Sequence, residues 1–312
     1  MRLVTYSELQ SLFHCPHQHH LNYGRRLTSI RKSPALDEGT AGHAAFDAYY
    51  KGATVEKALV PFRDVTANHV KHVVEAGGDA GEMEDRFMRV EALLMAYFQQ
   101  HGLKDRHVYD FEKVENEFSV PIEDPNGKVV PGVLFAGKLD GVWREKRGRK
   151  VRMVVEHKFY ASFDPEDHLL HQDLQLTLYA LAARLAFKVE VPITLYNVCR
   201  KPKNEREEGE SMEDFKSRIY QMILEKPGKY FFRLPITRGP QHFDLAREYL
   251  YHGAMVILGK TPLPFIYRNF GDHCKFRCSF QKICMDDSNE RLVKAFYTVR
   301  PKRHQELTTE ES

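Results

Sequence analysis

Between residues 109 and 159 the chain is written in the period of β-structure, and this stretch does most to limit the folds open to it. Residues 109–122, 131–144 and 151–159 read as three consecutive strands. Pro125-Asn126-Gly127 marks the first turn and Lys146 to Arg149 the second. The middle segment, Phe135-Ala-Gly-Lys-Leu-Asp140-Gly-Val-Trp143, puts an acid on or just after a strand. Fifteen residues then separate Asp140 from Glu156 in Val-Val-Glu156-His-Lys158-Phe, a spacing that suits adjacent antiparallel strands. Glu156 and Lys158 stand two apart and so share one face of their strand. An acid and a lysine on an otherwise apolar strand are costly to bury unless paired or bound to metal.

Helical periodicity surrounds this stretch. Residues 6–23 read as a helix, 24–39 as a basic mobile loop, Thr40 to Tyr50 as the start of a second helix and 82–102 as a long amphipathic one. Downstream come a helix over 166–187, a strand over 190–199 and a charged loop over 201–210. A helix over 211–226, a strand over 229–236 and a helix over 240–259 follow, and the tail from 300 is polar. Three strands, a helix and a further strand predict an α/β fold, a mixed central sheet flanked by helices, behind an N-terminal helical region. The expected division is 1–107 helical, 108–264 core, 265–290 a cysteine module and 291–312 a helix end and tail. With 42% hydrophobic residues, the chain has enough apolar material for a buried core.

The acid–lysine group suits phosphodiester cleavage, which needs an activated water and relief of developing negative charge. Oxygen ligands bind Mg²⁺ or Mn²⁺, which supplies both, and a nearby lysine orients water or offsets phosphate charge. Upstream, Gly39-Thr-Ala-Gly-His43 offers an imidazole at a helix start. Downstream, Gln172, Gln175 and Tyr179 fall on the predicted helix, with Gln175 and Tyr179 on one face. A second group is built on sulfur. Cys15 lies in Phe13-His-Cys15-Pro16, and three more lie in Cys274-Lys-Phe-Arg-Cys278-Ser-Phe-Gln-Lys-Ile-Cys284. Four thiolates could hold Zn²⁺ or a 4Fe–4S cluster. Cys199, on a predicted strand, reads as an ordinary buried thiol. His14, His17, His19, His20 and His273 offer further nitrogen ligands, but read first as surface or DNA-facing side chains.

The order His43, Asp140, Glu156-x-Lys158, Gln175-x3-Tyr179 resembles the RecB-like branch of the PD-(D/E)xK nucleases over about residues 3–286. That branch includes the CRISPR-associated RecB-like exonucleases and the AddB nuclease domain. The resemblance implies a restriction-endonuclease-like core and Asp140 and Glu156 as acidic metal ligands. It implies Lys158 as the catalytic lysine and His43 as an added metal ligand. The carbonyl of His157 could ligate the same ion. Gln175 and Tyr179 would support the site and contact DNA. Glu115 and Glu117 fall in a segment similar to the family's pre-catalytic strand, with no choice between them. The resemblance also implies that Cys15, Cys274, Cys278 and Cys284 hold a 4Fe–4S cluster clasping the two ends. Many relatives have two residues between the first pair of late cysteines, and this chain has three, which keeps Zn²⁺ open.

Net charge is only +3, but basic residues cluster at Arg25-Arg26, Arg31-Lys32, Lys146 to Arg152 and Arg200 to Lys203. Arg25, Arg26, Arg31 and Lys32, just before His43, are the candidate phosphate contacts. No run of 18 apolar residues appears and no secretory signal opens the chain, so a cytoplasmic protein without a membrane span is expected. The leading expectation is a DNA exonuclease acting on single-stranded ends. The rivals are a structure-specific endonuclease and a DNA- or partner-binding module. Relatives serve beside helicase, recombination or integrase partners, including in CRISPR spacer acquisition.

Overall fold

The computed structural model describes residues 1–30, 34–75, 77–166, 169–263, 266–276 and 278–301. In chain order come β1 (Arg2–Val4), α1 (Tyr6–His14), α2 (Pro16–His19), β2 (Leu27–Ser29), α3 (Pro34–Tyr50), α4 (Val55–Glu75), α5 (Ala80–Tyr97) and α6 (Leu103–Val108). There follow β3 (Tyr109–Glu123), β4 (Val129–Glu145), β5 (Arg152–Tyr160), α7 (Leu174–Phe187), β6 (Ile193–Arg200), α8 (Met212–Glu225) and β7 (Phe231–Thr237). The last elements are α9 (Pro240–Ile257), the one-turn α10 (His273–Phe276), α11 (Glu290–Phe296) and β8 (Tyr297–Val299). They form two compact units. One is Met1–Lys32 with Glu117–Gly137 and Pro240–Ser312; the other is Ser33–Asn116 with Lys138–Gly239.

The second unit is built on a mixed sheet, as the strand pattern predicts. β5 pairs antiparallel with β4, from Gly141↔Val155 to Arg144↔Arg152. It pairs parallel with β6, from Met153↔Ile193 to Tyr160↔Arg200, with α7 in the crossover that a parallel pair requires. β7 closes the order antiparallel to β6, and β3 pairs with β4. Strand β5 is buried from Met153 to His157, as a strand covered on both faces must be. Met153, Val155 and Phe159 turn to a core made with Phe46 of α3, Leu94 of α5 and Phe215 of α8. On the opposite face Leu176 of α7 packs with Tyr196 and Val198 of β6.

The helix expected over 166–187 begins only at Leu174. Asp173 caps it, its carboxylate accepting from the Leu176 N–H at 2.9 Å, and Leu170–Gln172 form a 3₁₀ turn before the cap. Gln172 therefore leaves the helix on which periodicity had put it. Helix α4 has no counterpart in the sequence expectation. Pro61 stands inside it and removes a backbone donor, masking an amphipathic segment that buries Ala58, Leu59, Phe62 and Thr66.

In the first unit, β1 pairs parallel with the start of β4, from Arg2↔Val133 to Val4↔Phe135. β2 pairs antiparallel with β8, and Leu21, Leu27, Phe280, Ile283, Val293 and Tyr297 form the core beside them. The single helix expected over 6–23 is broken at Cys15, which is extended (φ −159°, ψ 106°). Pro16 is the reason. It drives the residue before it out of the helical region and then opens α2. The loop expected over 24–39 is also corrected, because β2 lies within it and α3 starts at Pro34. The tail expected from 300 lies, from residue 302, outside the described residues.

Candidate functional site

The register of β4 and β5 does the first part of the assembly. With Gly141 opposite Val155, the Asp140 carboxylate reaches the next peptide of β5, and its Oδ2 accepts from the His157 N–H at 2.7 Å. Glu156 and Lys158 share the α7 face of β5. Lys158 Nζ donates to Glu156 Oε1 at 2.5 Å and to Gln175 Oε1 at 3.3 Å. Gln175 Nε2 donates to the same Glu156 oxygen at 3.0 Å, and Tyr179 hydrogen-bonds the Gln175 side chain. The spacing of four brings Gln175 and Tyr179 to one helix face, as expected.

His43 arrives from α3. That helix lies against β5 at Gly42, where an added Cβ would sit 2.3 Å from the Phe159 ring. The close approach, possible only for glycine, brings His43 Nδ1 to 3.5 Å from Asp140 Oδ1 and 3.4 Å from Glu115 Oε1. Sequence reasoning offered Glu115 and Glu117 equally; the structure selects Glu115. Its backbone is left-handed (φ +47°) in the middle of β3, and Lys138 holds its other oxygen at 2.7 Å. A non-glycine residue in that region is strained, and such strain gathers at functional positions.

The electrostatics are those of a cation site. Burial and the charge of Glu156 push the Asp140 carboxyl up to about 7. Burial works against the charged form of His43, but Asp140, Glu115 and Glu156 overcome it and hold the imidazole up at about 9. Burial likewise opposes the Lys158 charge, and Glu156 and Asp140 override it and raise the amine above its ordinary value. One ligand atom each of His43, Glu115 and Asp140 lies within 4.8 Å of the others, a nitrogen and two oxygens suited to a hard or borderline divalent ion. Beside them Glu156 Oε2 is buried and, among the described residues, has no hydrogen-bond partner. An orphaned carboxylate oxygen next to this group fits a metal ligand.

His157 points its side chain the other way, into the core. Its ring stacks on Phe46 at 4.1 Å and its Nδ1 meets Asn197 Nδ2 at 2.6 Å. Burial keeps it well below the usual imidazole range, so it is neutral.

The sulfur group is assembled within the first unit. Cys15, Cys274, Cys278 and Cys284 line one small cavity with His17, Arg268 and Phe280. The turn that Pro16 forces at Cys15 aims its Sγ at two backbone donors, Gln18 N–H at 3.5 Å and Asn269 N–H at 3.4 Å. The Phe280 N–H bonds Cys278, and the Arg268 side chain bonds Cys284. Burial raises the thiols of Cys278 and Cys284. Asp287 gathers Arg25 at 3.0 Å, Arg268 at 3.1 Å and His17 at 3.8 Å around this cavity. Cys199 is a fully buried thiol in the core of the second unit, as its strand position suggests.

Of the candidate phosphate contacts, Arg25 is thus engaged with Asp287, and Arg26 is exposed with left-handed backbone (φ +58°). Arg31 and Lys32 lie outside the described residues, as does the side chain of His273. Among the described residues, no helix is long and apolar enough to cross a membrane.

A comparison with curated proteins found no match. Among solved structures the chain is similar to SSO0001, at 12% identity over 89% of this chain and 94% of that one, with a TM-score of 0.34. It is also similar to a protein of Eubacterium rectale described as "Putative exonuclease", at 12% identity over the same shares, with a TM-score of 0.44. The family model of the PD-(D/E)XK nuclease superfamily, whose members use divalent metals, matches residues 3–285. Matched over nearly its whole length, the chain belongs to the PD-(D/E)XK nuclease superfamily.

Proposed function

We propose that this chain is a Mg²⁺- or Mn²⁺-dependent DNA nuclease of the RecB-like branch, working as an exonuclease on single-stranded ends. The observation that carries the reading is the buried, unpartnered Oε2 of Glu156 beside the His43–Glu115–Asp140 group. Asp140, Glu156, His43 and Glu115, with the carbonyl of His157, would hold the ion. When bound, the ion activates a water and offsets negative charge on the phosphate. Lys158 stays protonated between Glu156 and Gln175 and presents its charge to the phosphate. Gln175 keeps Glu156 and Lys158 in register, and Tyr179 keeps Gln175. The exonuclease assignment rests on the resemblance carried by His43.

End-labelled single-stranded, duplex and closed circular DNA, incubated with Mn²⁺, test this. Shortening from the ends of linear single strands, stopped by a chelator, is the expected result. Cleavage of closed circles or of branched DNA would instead favour a structure-specific endonuclease. No cleavage of any form would favour a binding module of a recombination or CRISPR adaptation complex.

We further propose that residues 265–290 act with Cys15 as a clasp holding a 4Fe–4S cluster against a 108–264 nuclease core. Cys15, Cys274, Cys278 and Cys284 line one cavity. N–H donors to the sulfurs of Cys15 and Cys278 suit cluster thiolates. Iron and sulfide in equal amounts, without zinc, in anaerobically purified protein is the expected analysis. One zinc and no iron would assign the site to Zn²⁺.

A further inference from the structure

The second unit carries a basic cavity that the nuclease group does not use. It encloses about 240 Å³ and is lined by Arg86 and Arg89 of α5, Lys201 and Lys203 of the segment after β6, and Glu38 and Glu205. Four cations face two carboxylates. Glu38 is buried and takes both Arg86, at 2.7 Å, and Lys201. Among the described residues Arg89 has no carboxylate at ion-pair distance, and Glu38, Asp85 and Glu205 act on it only from farther off. Its Nη1 donates to the Asn204 carbonyl at 2.7 Å, and burial and the neighbouring Arg86 press its pKa below the usual arginine value. Lys203 is exposed and Glu205 lies in the same open segment. A half-buried guanidinium beside a second one, with no counter-ion of its own, is stabilised by a bound anion.

The position of the cavity says which anion. It lies at the carboxyl ends of the parallel strands β5 and β6, where the Lys201 N–H bonds the Tyr160 carbonyl at 2.7 Å. Ala161, in its wall, comes three residues after Lys158, about 10 Å along an extended strand. Glu38 precedes His43 by five residues, about 7.5 Å along α3. The cavity therefore adjoins the acidic group on two of the elements that build it. Ligands of α/β sheets bind at the carboxyl ends of parallel strands, and planar guanidinium forks match phosphate geometry.

We infer that Arg86, Arg89, Lys201 and Lys203 form a phosphate-binding subsite that takes a backbone or terminal phosphate of the nucleic-acid strand presented to the acidic site. This rests on the nuclease reading for the identity of the strand. Arg89 and Lys203 contact the phosphate, while Arg86 and Lys201, tied to Glu38, set the field.

Metal-free binding of a fluorescent single-stranded oligonucleotide, followed by anisotropy against salt, tests it. Arg89→Gln with Lys203→Gln is expected to weaken binding about tenfold and to flatten the log–log salt slope by about 1.4, two contacts at ~0.7 each. Lys226→Gln with Lys229→Gln, exposed residues of the same unit, removes the same charge and is expected to change neither. Lys203→Glu alone, at an exposed position, carries the test if the double variant does not fold, with a severalfold loss expected. A 5′-phosphorylated oligonucleotide and its 5′-hydroxyl counterpart separate the sources. Loss of a preference for the phosphorylated form in the variant assigns the cavity to the terminal phosphate, and an equal loss on both assigns it to the backbone. Unchanged affinity and slope in both variants would overturn the subsite. Because binding is read without metal, absent cleavage by the wild-type protein counts against the nuclease reading alone, whereas wild-type protein that binds no oligonucleotide overturns both.

Discussion

The acidic group of the second unit and the cysteine group of the first are assembled in opposite ways. Asp140, Glu156 and Lys158 lie on adjacent strands of one hairpin, and their geometry follows from register, with His43 and Gln175 added by helices packed on β5. Cys15 and the late cysteines meet across some 260 residues of chain, with no shared element. The first group is polar, carries its own counter-ion in Lys158 and is organised by hydrogen bonds whether or not a metal binds. The second is held by packing and backbone donors around a cavity, and closing so long a loop is where a bound cofactor contributes most to stability. On the proposed reading, chemistry belongs to the hairpin and stability to the cysteine group.

Removing one charged side chain from the hairpin is the severest test. Asp140→Ala or Lys158→Ala is expected to lower Mn²⁺-dependent cleavage by at least about 10³-fold, with the melting temperature changed by only a few degrees. Activity that survives in both purified variants would remove the hairpin from the mechanism. Next in size is a change that leaves every ligand in place. Gly42→Val puts branched carbon where Phe159 already lies, and Phe46, at 5.6 Å, and His43, at 6.0 Å, flank that ring. Overpacking of this kind costs about 1–3 kcal/mol, and displacing His43 by an ångström costs about 10²-fold in rate. Full activity in Gly42→Val would mean that α3 does not position His43.

The cysteine group should behave otherwise. Cys278→Ser is expected to abolish iron binding and lower the melting temperature, while cleavage at low temperature stays within about tenfold of the parent. A loop-closure effect of at most roughly 5.5 kcal/mol, the cross-link value for a loop of this length, bounds the stability change. Loss of cleavage as complete as in Asp140→Ala, in protein that still melts cooperatively, would break the division between chemistry and stability.

The same contrast explains what could be read from the sequence. The hairpin was legible because a strand has a period of two and a turn has characteristic residues, so the placement of Asp140, Glu156 and Lys158 on neighbouring strands could be read from spacing, whereas their roles came only with the resemblance. Cys15 stood out in the sequence as a candidate ligand but not as a break in the helix, although Pro16 carried that information. Glu115 was not separable from Glu117, because both have the same strand parity and no local signal marks the left-handed backbone at Glu115. Gln172 was misplaced because apolar periodicity continues past the true helix start and only the Asp173 cap marks the boundary. Helix α4 was hidden by Pro61. The basic cavity joins residues from α3, α5 and the end of β6, a coincidence of packing that no local pattern encodes.

The mildest change probes the end of the acidic chain of contacts. Tyr179 hydrogen-bonds Gln175, the side chain that touches both Glu156 and Lys158. Its hydroxyl is buried, and burial with the nearby Glu156 charge raises its pKa, so it stays protonated and able to donate. Tyr179→Phe keeps the ring and removes one neutral hydrogen bond, worth about 1 kcal/mol or roughly fivefold in rate. Gln175→Ala removes both contacts at once and should cost more than Tyr179→Phe. If the tyrosine acts only by holding Gln175, adding Tyr179→Phe to Gln175→Ala should cost nothing further. An additive loss in the double variant would give Tyr179 a contact of its own, to DNA, and would detach it from the hydrogen-bonded set.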